Sequence, residues 1–138
     1  MKKRIVLDAW AILALIQREE PAAARVRALL EEADRGDLQL FISIINLGEV
    51  VYRVGKIRGE IDAFETLNQV GRLPVDILPA TEDAVFAAAR FKMHYPISYA
   101  DAFAAAAAES LDATLVTGDP ELIALKGRIQ IEELARSA

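Results

Sequence analysis

Short, continuously apolar runs alternate with helix-like stretches along the whole chain. Arg4-Ile5-Val6-Leu7 is a β-type run that stops at Asp8, and a helical stretch through Leu13, Leu15 and Ile16 follows. Pro21 suits the first turn of a second helix with Val26, Leu29 and Leu30 as its stripe, and Gly36 suits the end of that helix. Leu40 to Ile44 reads as a second strand, after which the chain turns helical through Gly48 to Tyr52. Gly55 and Gly59 mark a loop or bend before a helix around Ala63 to Val70. Val75 to Leu78 is a third strand, and Glu82 to Lys92 a helix with Val85, Phe86 and Ala89 inward and Ala88 as a further inward candidate. Tyr99 to Ser110 is an Ala-dominated helix able to pack closely on a sheet. Thr114 to Thr117, Pro120 to Leu125 and Ile129 to Ile131 complete the pattern as strand, short helix and strand. Apolar strands separated by helices predict a parallel sheet covered on both faces. The expectation is a three-layer α/β/α sandwich with a central parallel sheet of four to five strands, forming one domain over residues 1–138.

Composition narrows the chemistry. The 138 residues are 54% hydrophobic, enough for a real core and too apolar for disorder. Without cysteine, disulfides, Cys-based zinc sites and thiol nucleophiles drop out. A single histidine, His94, removes multi-His metal sites and argues against a Ser-His-Asp hydrolase. The balance of 16 Lys+Arg against 21 Asp+Glu gives net −5, so no strongly basic surface is expected. No apolar run reaches ~18 residues and no signal-like segment opens the sequence, so the expected location is the cytoplasm, with no membrane association.

In parallel α/β sheets, ligands bind beyond the carboxyl ends of the strands. Asp8 ends the first strand, Glu49 lies one turn into the helix after the second, and Asp119 follows the fourth. Asp101 opens the Ala-rich helix leading into that fourth strand. Each acid also fits a structural role. Asp119-Pro120 is a good helix start, Ser98 with Asp101 fits a capping box, Asn46 with Glu49 fits the same pattern, and Asp8 can cap the helix after it. The conjunction points further, because Glu49 and Asp101 have almost wholly apolar neighbours in sequence. An ionised carboxylate in such surroundings is costly unless paired or metal-bound. A divalent cation, Mg²⁺ or Mn²⁺, is the simplest common partner for four oxygen donors.

The segments Ile5-Val6-Leu7-Asp8-Ala9, Asn46-Leu47-Gly48-Glu49-Val50, Tyr99-Ala100-Asp101-Ala102 and Val116-Thr117-Gly118-Asp119-Pro120 resemble the PIN-domain nucleases. Among these the chain looks most like the VapC toxins of toxin–antitoxin pairs, in length, element order and motif spacing. The resemblance implies clustered acids holding one or two Mg²⁺ or Mn²⁺ ions and hydrolysing RNA phosphodiesters. Asp8, Glu49, Asp101 and Asp119 then become the candidate catalytic metal ligands. Thr117 matches the family's hydroxyl residue two before the last acid. Trp10 departs from it, standing where Ser or Thr is common.

Arg53 and Lys56, after Glu49, and Lys92, before the Asp101 helix, are candidate RNA contacts, although such a charge cluster is more often a solvated face. Trp10 can stack on a base or an antitoxin side chain, or fill the core. The resemblance also implies an antitoxin partner, with an apolar segment along Leu13, Leu15, Ile16, Val26 and Leu30 and a basic side chain in the acidic pocket. A homodimer is expected from the apolar composition and from the resemblance.

Three other readings compete. A haloacid-dehalogenase-like phosphatase wants a second Asp two residues after the first, where Trp10 stands. A receiver domain wants an acidic neighbour that Asp8 lacks. The remaining alternative is a catalytically silent PIN-like binding module whose acids merely cap helices.

Overall fold

A computed structural model describes residues 2–136 and shows a five-stranded, wholly parallel sheet. The strands are β1 (Lys3–Leu7), β2 (Leu38–Ser43), β3 (Val75–Leu78), β4 (Thr114–Thr117) and β5 (Ile131–Glu133). The helices are α1 (Ala9–Ile16), α2 (Ala22–Asp34), α3 (Ile44–Arg58), α4 (Glu60–Val70), α5 (Glu82–His94), α6 (Tyr99–Ser110) and α7 (Pro120–Ile123). Spatial order is β3-β2-β1-β4-β5. The chain therefore builds outward in one direction from β1 to β3, then returns to the other side of β1 for β4 and β5. That reversal creates a switch point between β1 and β4, where the helices leaving the strands diverge and a crevice opens at their carboxyl ends.

The alternation of side chains along the central strands divides the core into two layers. Ile5 and Leu7, Leu40 and Ile42, and Val116 pack under α1, α2, α3 and α4. Val6, Phe41 and Leu115 face the other way, against α5, the Ala-rich α6 and Leu122 of α7. Small side chains at Ala102, Ala104, Ala105 and Ala108, all buried, let α6 lie close to the sheet. This is the α/β/α sandwich expected from the pattern.

Several local expectations change. Ser43, not Asn46, caps α3: its hydroxyl accepts from the Ile45 amide at 3.2 Å, and Asn46 is buried inside the helix. Gly55 also lies within α3 rather than in a loop. A Cβ there would sit 3.4 Å from that of Ala63, in ordinary van der Waals contact, so this turn of α3 packs directly on α4. The turn falls at Gly59 alone, whose φ of +95° disfavours any side chain. The last strand begins at Ile131, two residues later than expected, with only an isolated bridge between Lys126 and Ile129 before it. Phe86 faces outward, 57% exposed, because the inward face of α5 is carried by Ala88 and Phe91. No helix among the described residues is long and apolar enough to cross a membrane.

Candidate functional site

Asp8 leaves β1 and caps α1. Its Oδ1 accepts from the Ala11 amide at 2.9 Å, and its Oδ2 accepts from the hydroxyl of Thr117, the last residue of β4. The same hydroxyl oxygen accepts from the Asp119 amide at 3.0 Å. Thr117 thus ties the acids that follow β1 and β4 across the switch point. Asp119 caps α7 with Pro120 at the first helical position, and its Oδ1 accepts from the Glu121 amide at 2.9 Å. Asp101 arrives from the other layer, in the first turn of α6. Its amide donates to the Ser98 hydroxyl at 3.1 Å, as a capping arrangement requires.

These acids share one crevice. Ile45, Glu49, Tyr52, Arg53, Ser98, Ala100, Asp101, Asp119 and Glu121 line a cleft of about 520 Å³. Asp8 and Thr117 lie beneath it, 2% and 0% exposed. Carboxylate oxygens of Asp101, Asp119 and Glu121 come within 4.8 Å of one another. Burial pushes the Asp8 carboxyl up to about 7. The Thr117 hydroxyl and the Ala11 amide pull it down, while the charges of Asp119 and Glu49 raise it further. Burial also raises Asp101, to about 8, followed by the repulsion of Asp119 and of Asp8. Both groups are therefore strained as anions, and a cation at the cleft would relieve them.

The structure brings together all four acids named from the sequence, with Thr117. It adds Glu121, whose signal was its place in the first turn after Asp119-Pro120. Arg53 lines the cleft, but its guanidinium is occupied by Glu49, with Nε and Nη2 each 3.1 Å from Oε2. Lys56 sits apart, in an adjoining groove formed by Leu13, Ile16, Tyr52 and Ile57 and rimmed by Arg53, Lys56 and Arg58. Lys92 is exposed on α5 and does not line the cleft. Val26 is fully buried and belongs to the core, so it offers no surface to a partner.

Trp10 packs on the first core layer and faces Gly118, where a Cβ would come within 2.5 Å of three indole carbons. The Arg136 guanidinium stacks on the indole, 5.5 Å from the ring centroid, and donates to the Gly118 carbonyl at 2.9 Å. Of the two roles expected for Trp10, packing is thus filled by the chain itself.

Comparison with known proteins agrees with this architecture. No curated protein sequence matches the chain. Among solved structures, VapBC2 from Rickettsia felis bound to a promoter DNA fragment matches with TM-score 0.73 at 18% identity, covering 96% of this chain and 99% of that one. DNA-bound VapBC from Salmonella typhimurium also gives 0.73 at 18% identity, over 98% and 100% of the two chains. The sarcin-ricin-loop-cleaving toxin VapC20 from Mycobacterium tuberculosis gives 0.71 at 15% identity, over 88% and 95%. At these identities the likeness establishes the fold. The PIN domain family matches residues 5–127, nearly the whole of the chain, and the protein belongs to that family.

Proposed function

We propose that the protein is a divalent-metal-dependent endoribonuclease and the toxin of a VapBC-type toxin–antitoxin pair. The observation that carries this reading is the convergence of acids at the switch point, where buried Asp8 and Asp101 have no basic partner and are pushed toward protonation. Hard oxygen donors from Asp8, Asp101 and Asp119, with Glu49 beside them, suit Mg²⁺ or Mn²⁺ rather than a softer metal. When bound, the ion lowers the pKa of a water and offsets charge developing at the phosphate.

The chain's own groups prepare that site. The Ala11 amide and Thr117 hydroxyl fix both oxygens of Asp8, leaving its remaining lone pairs for the ion. Thr117 also holds the Asp119 backbone, so the two acids move together. Arg53 orients Glu49 and is the cation nearest to an incoming phosphate within the cleft. Lys56 and Lys92 lie off the cleft and would meet RNA only beyond the scissile position.

The adjoining groove of about 360 Å³ is where an antitoxin segment would dock. Apolar Leu13, Ile16 and Ile57 would receive its apolar anchors, the Arg53, Lys56 and Arg58 rim its acidic residues, and the acidic cleft its basic side chain. Structural neighbours that are VapBC complexes support such a partner. Exposed Ile61, Phe64 and Phe86 support a homodimer, which sedimentation at micromolar concentration tests. The cytoplasm, where RNA is met, is the proposed place of action.

The deciding experiment is RNA cleavage with Mn²⁺ and with chelator, for the wild type and Asp8→Asn. Cleavage that needs Mn²⁺ and collapses in the variant supports the reading. The silent-module alternative draws on real geometry, since Asp8 and Asp119 do cap helices. It predicts no effect of Mn²⁺ on stability or cleavage.

A further inference from the structure

Asn46 is the third residue of α3, fully buried and three residues before Glu49. Its Nδ2 donates to the Ala100 carbonyl at 3.0 Å, one residue before Asp101. A carbonyl can only accept, so the nitrogen must face Ala100 and the orientation of the amide is fixed. That leaves Oδ1 buried with no donor among the described residues.

Such a residue is expensive in three ways. Asn is a poor helix former, its amide gives up water on burial, and an unmet buried oxygen costs more than a paired one. Leu is close in size, forms helices well and would avoid all three. The hydrogen bond itself explains the retention of Asn poorly as a stabilising contact, because Ala100 lies in the first turn of α6 and its carbonyl is placed to accept from within that helix.

What the bond does is geometric. The two helices belong mainly to opposite layers and meet at the carboxyl edge of the sheet. Asn46 straps the turn of α3 that presents Glu49 to the turn of α6 that presents Asp101. We propose that Asn46 is a positioning residue that sets the separation of Glu49 and Asp101 across the cleft, and so the affinity of the site for a divalent cation. This rests on reading the cleft as a metal site.

The test is calorimetric titration of Mn²⁺ into the metal-free wild type and Asn46→Leu, with melting temperatures recorded in chelator. Wild type should bind Mn²⁺. Asn46→Leu should melt at the same or a higher temperature yet bind Mn²⁺ roughly 10-fold more weakly, the scale seen when groups that orient metal ligands are removed. Affinity within twofold of wild type would overturn the positioning role and leave the metal site standing, whatever happens to the melting temperature. Wild type that binds no Mn²⁺ would remove the metal reading and this proposal with it. Should Asn46→Leu fail to fold, Asn46→Ser is titrated in its place, since its shorter side chain cannot hold the same strap. A threefold or greater loss of affinity then supports the role, and equal affinity overturns it.

Discussion

Acids sit at both the switch-point cleft and the β5 flank, but the fold treats them in opposite ways. On the flank each is matched: Glu132 receives Arg25 at 2.8 and 3.0 Å, Glu133 receives Lys126 at 3.1 Å, and Glu109 pairs with Arg128. Arg25 holds the Glu132 carboxyl below its usual value. In the cleft, Asp8, Asp101, Asp119 and Glu121 have no basic side chain paired to them among the described residues, and Arg53 is directed to Glu49 alone. Asp8 and Asp101 move upward instead, by burial first and then by the charge of Asp119, with Glu49 adding to Asp8 and Asp8 adding to Asp101. Paired acids on a surface are ordinary folding chemistry. Unpaired acids gathered from the starts of three helices are not explained by ion pairing, and the proposed metal site rests on them.

The largest effects should come from breaking the unpaired set. Asp8→Asn and Asp101→Asn should each lower Mn²⁺-dependent RNA cleavage by about 100-fold or more, since an ion's charge stabilisation is worth several kcal/mol and ~1.4 kcal/mol is a factor of ten. Asp119→Asn should lose cleavage as well but keep the start of α7, because Asn caps a helix about as well as Asp. Near-wild-type rates in both Asp8→Asn and Asp101→Asn would return these acids to the status of caps.

Acidity separates the two regions next. An acid whose folded pKa lies above its unfolded value binds its proton more tightly when folded. The folded state then loses stability as pH rises from about 4, where the unfolded carboxylate ionises, to about 7 or 8, where Asp8 and Asp101 do. Glu132 has the reverse sign: its contribution is present above the unfolded pKa and disappears as pH falls through the lowered folded value. Melting temperatures in chelator should therefore decline from pH 4 to pH 8 less steeply in Asp8→Asn than in wild type. Added Mn²⁺ should raise the wild-type value more at pH 8 than at pH 5. Identical pH profiles for wild type and Asp8→Asn would refute the strained-anion account of the cleft.

A smaller effect tests how the cleft is walled. Gly118 follows Thr117, and any Cβ there meets the Trp10 ring, which Arg136 covers from outside. Gly118→Ala should cost ~1–3 kcal/mol as an overpacked position. In a Trp10→Ser background the same Gly118→Ala change should cost much less than in the wild type, read by chemical denaturation with Trp10→Ser as the reference.

Much of this comparison was legible in the sequence. Strand ends are sharp where an apolar run meets a polar residue with a reason to stop it, so the sequence alone puts Asp8 and Asp119 at the sheet edge. The bounds of α6 and β4 follow likewise from Ser98 as cap and from Thr117-Gly118. The misplacements share a cause. Local preference suggests a cap at Asn46, a loop at Gly55 and a core position at Phe86, and in each case packing between elements decides otherwise. Asn46 is held by a residue 54 positions away, a partner that no local pattern shows. Pairing of cations is equally invisible in sequence: Arg53 and Lys56 look alike there, yet one reaches into the cleft and the other lines the groove beside it.

The smallest expected effect lies on the matched flank, and it sharpens the contrast most cleanly. Arg25 and Glu132 make a two-pronged pair, yet their side chains remain 40% and 30% exposed, so solvent screens much of the attraction. Glu132→Gln should therefore cost no more than ~1 kcal/mol, a fall of a few degrees in melting temperature for a chain of this size. Raising salt should shrink the difference further, as it does for exposed pairs. Mn²⁺ affinity and cleavage should stay at wild-type levels, since this acid takes no part in the cleft. The paired and unpaired acids would then differ in kind: neutralising one trims stability and spares activity, while neutralising Asp8 spares or raises metal-free stability and abolishes activity. A Glu132→Gln variant that lost cleavage at unchanged stability would break that division and extend the functional surface to β5.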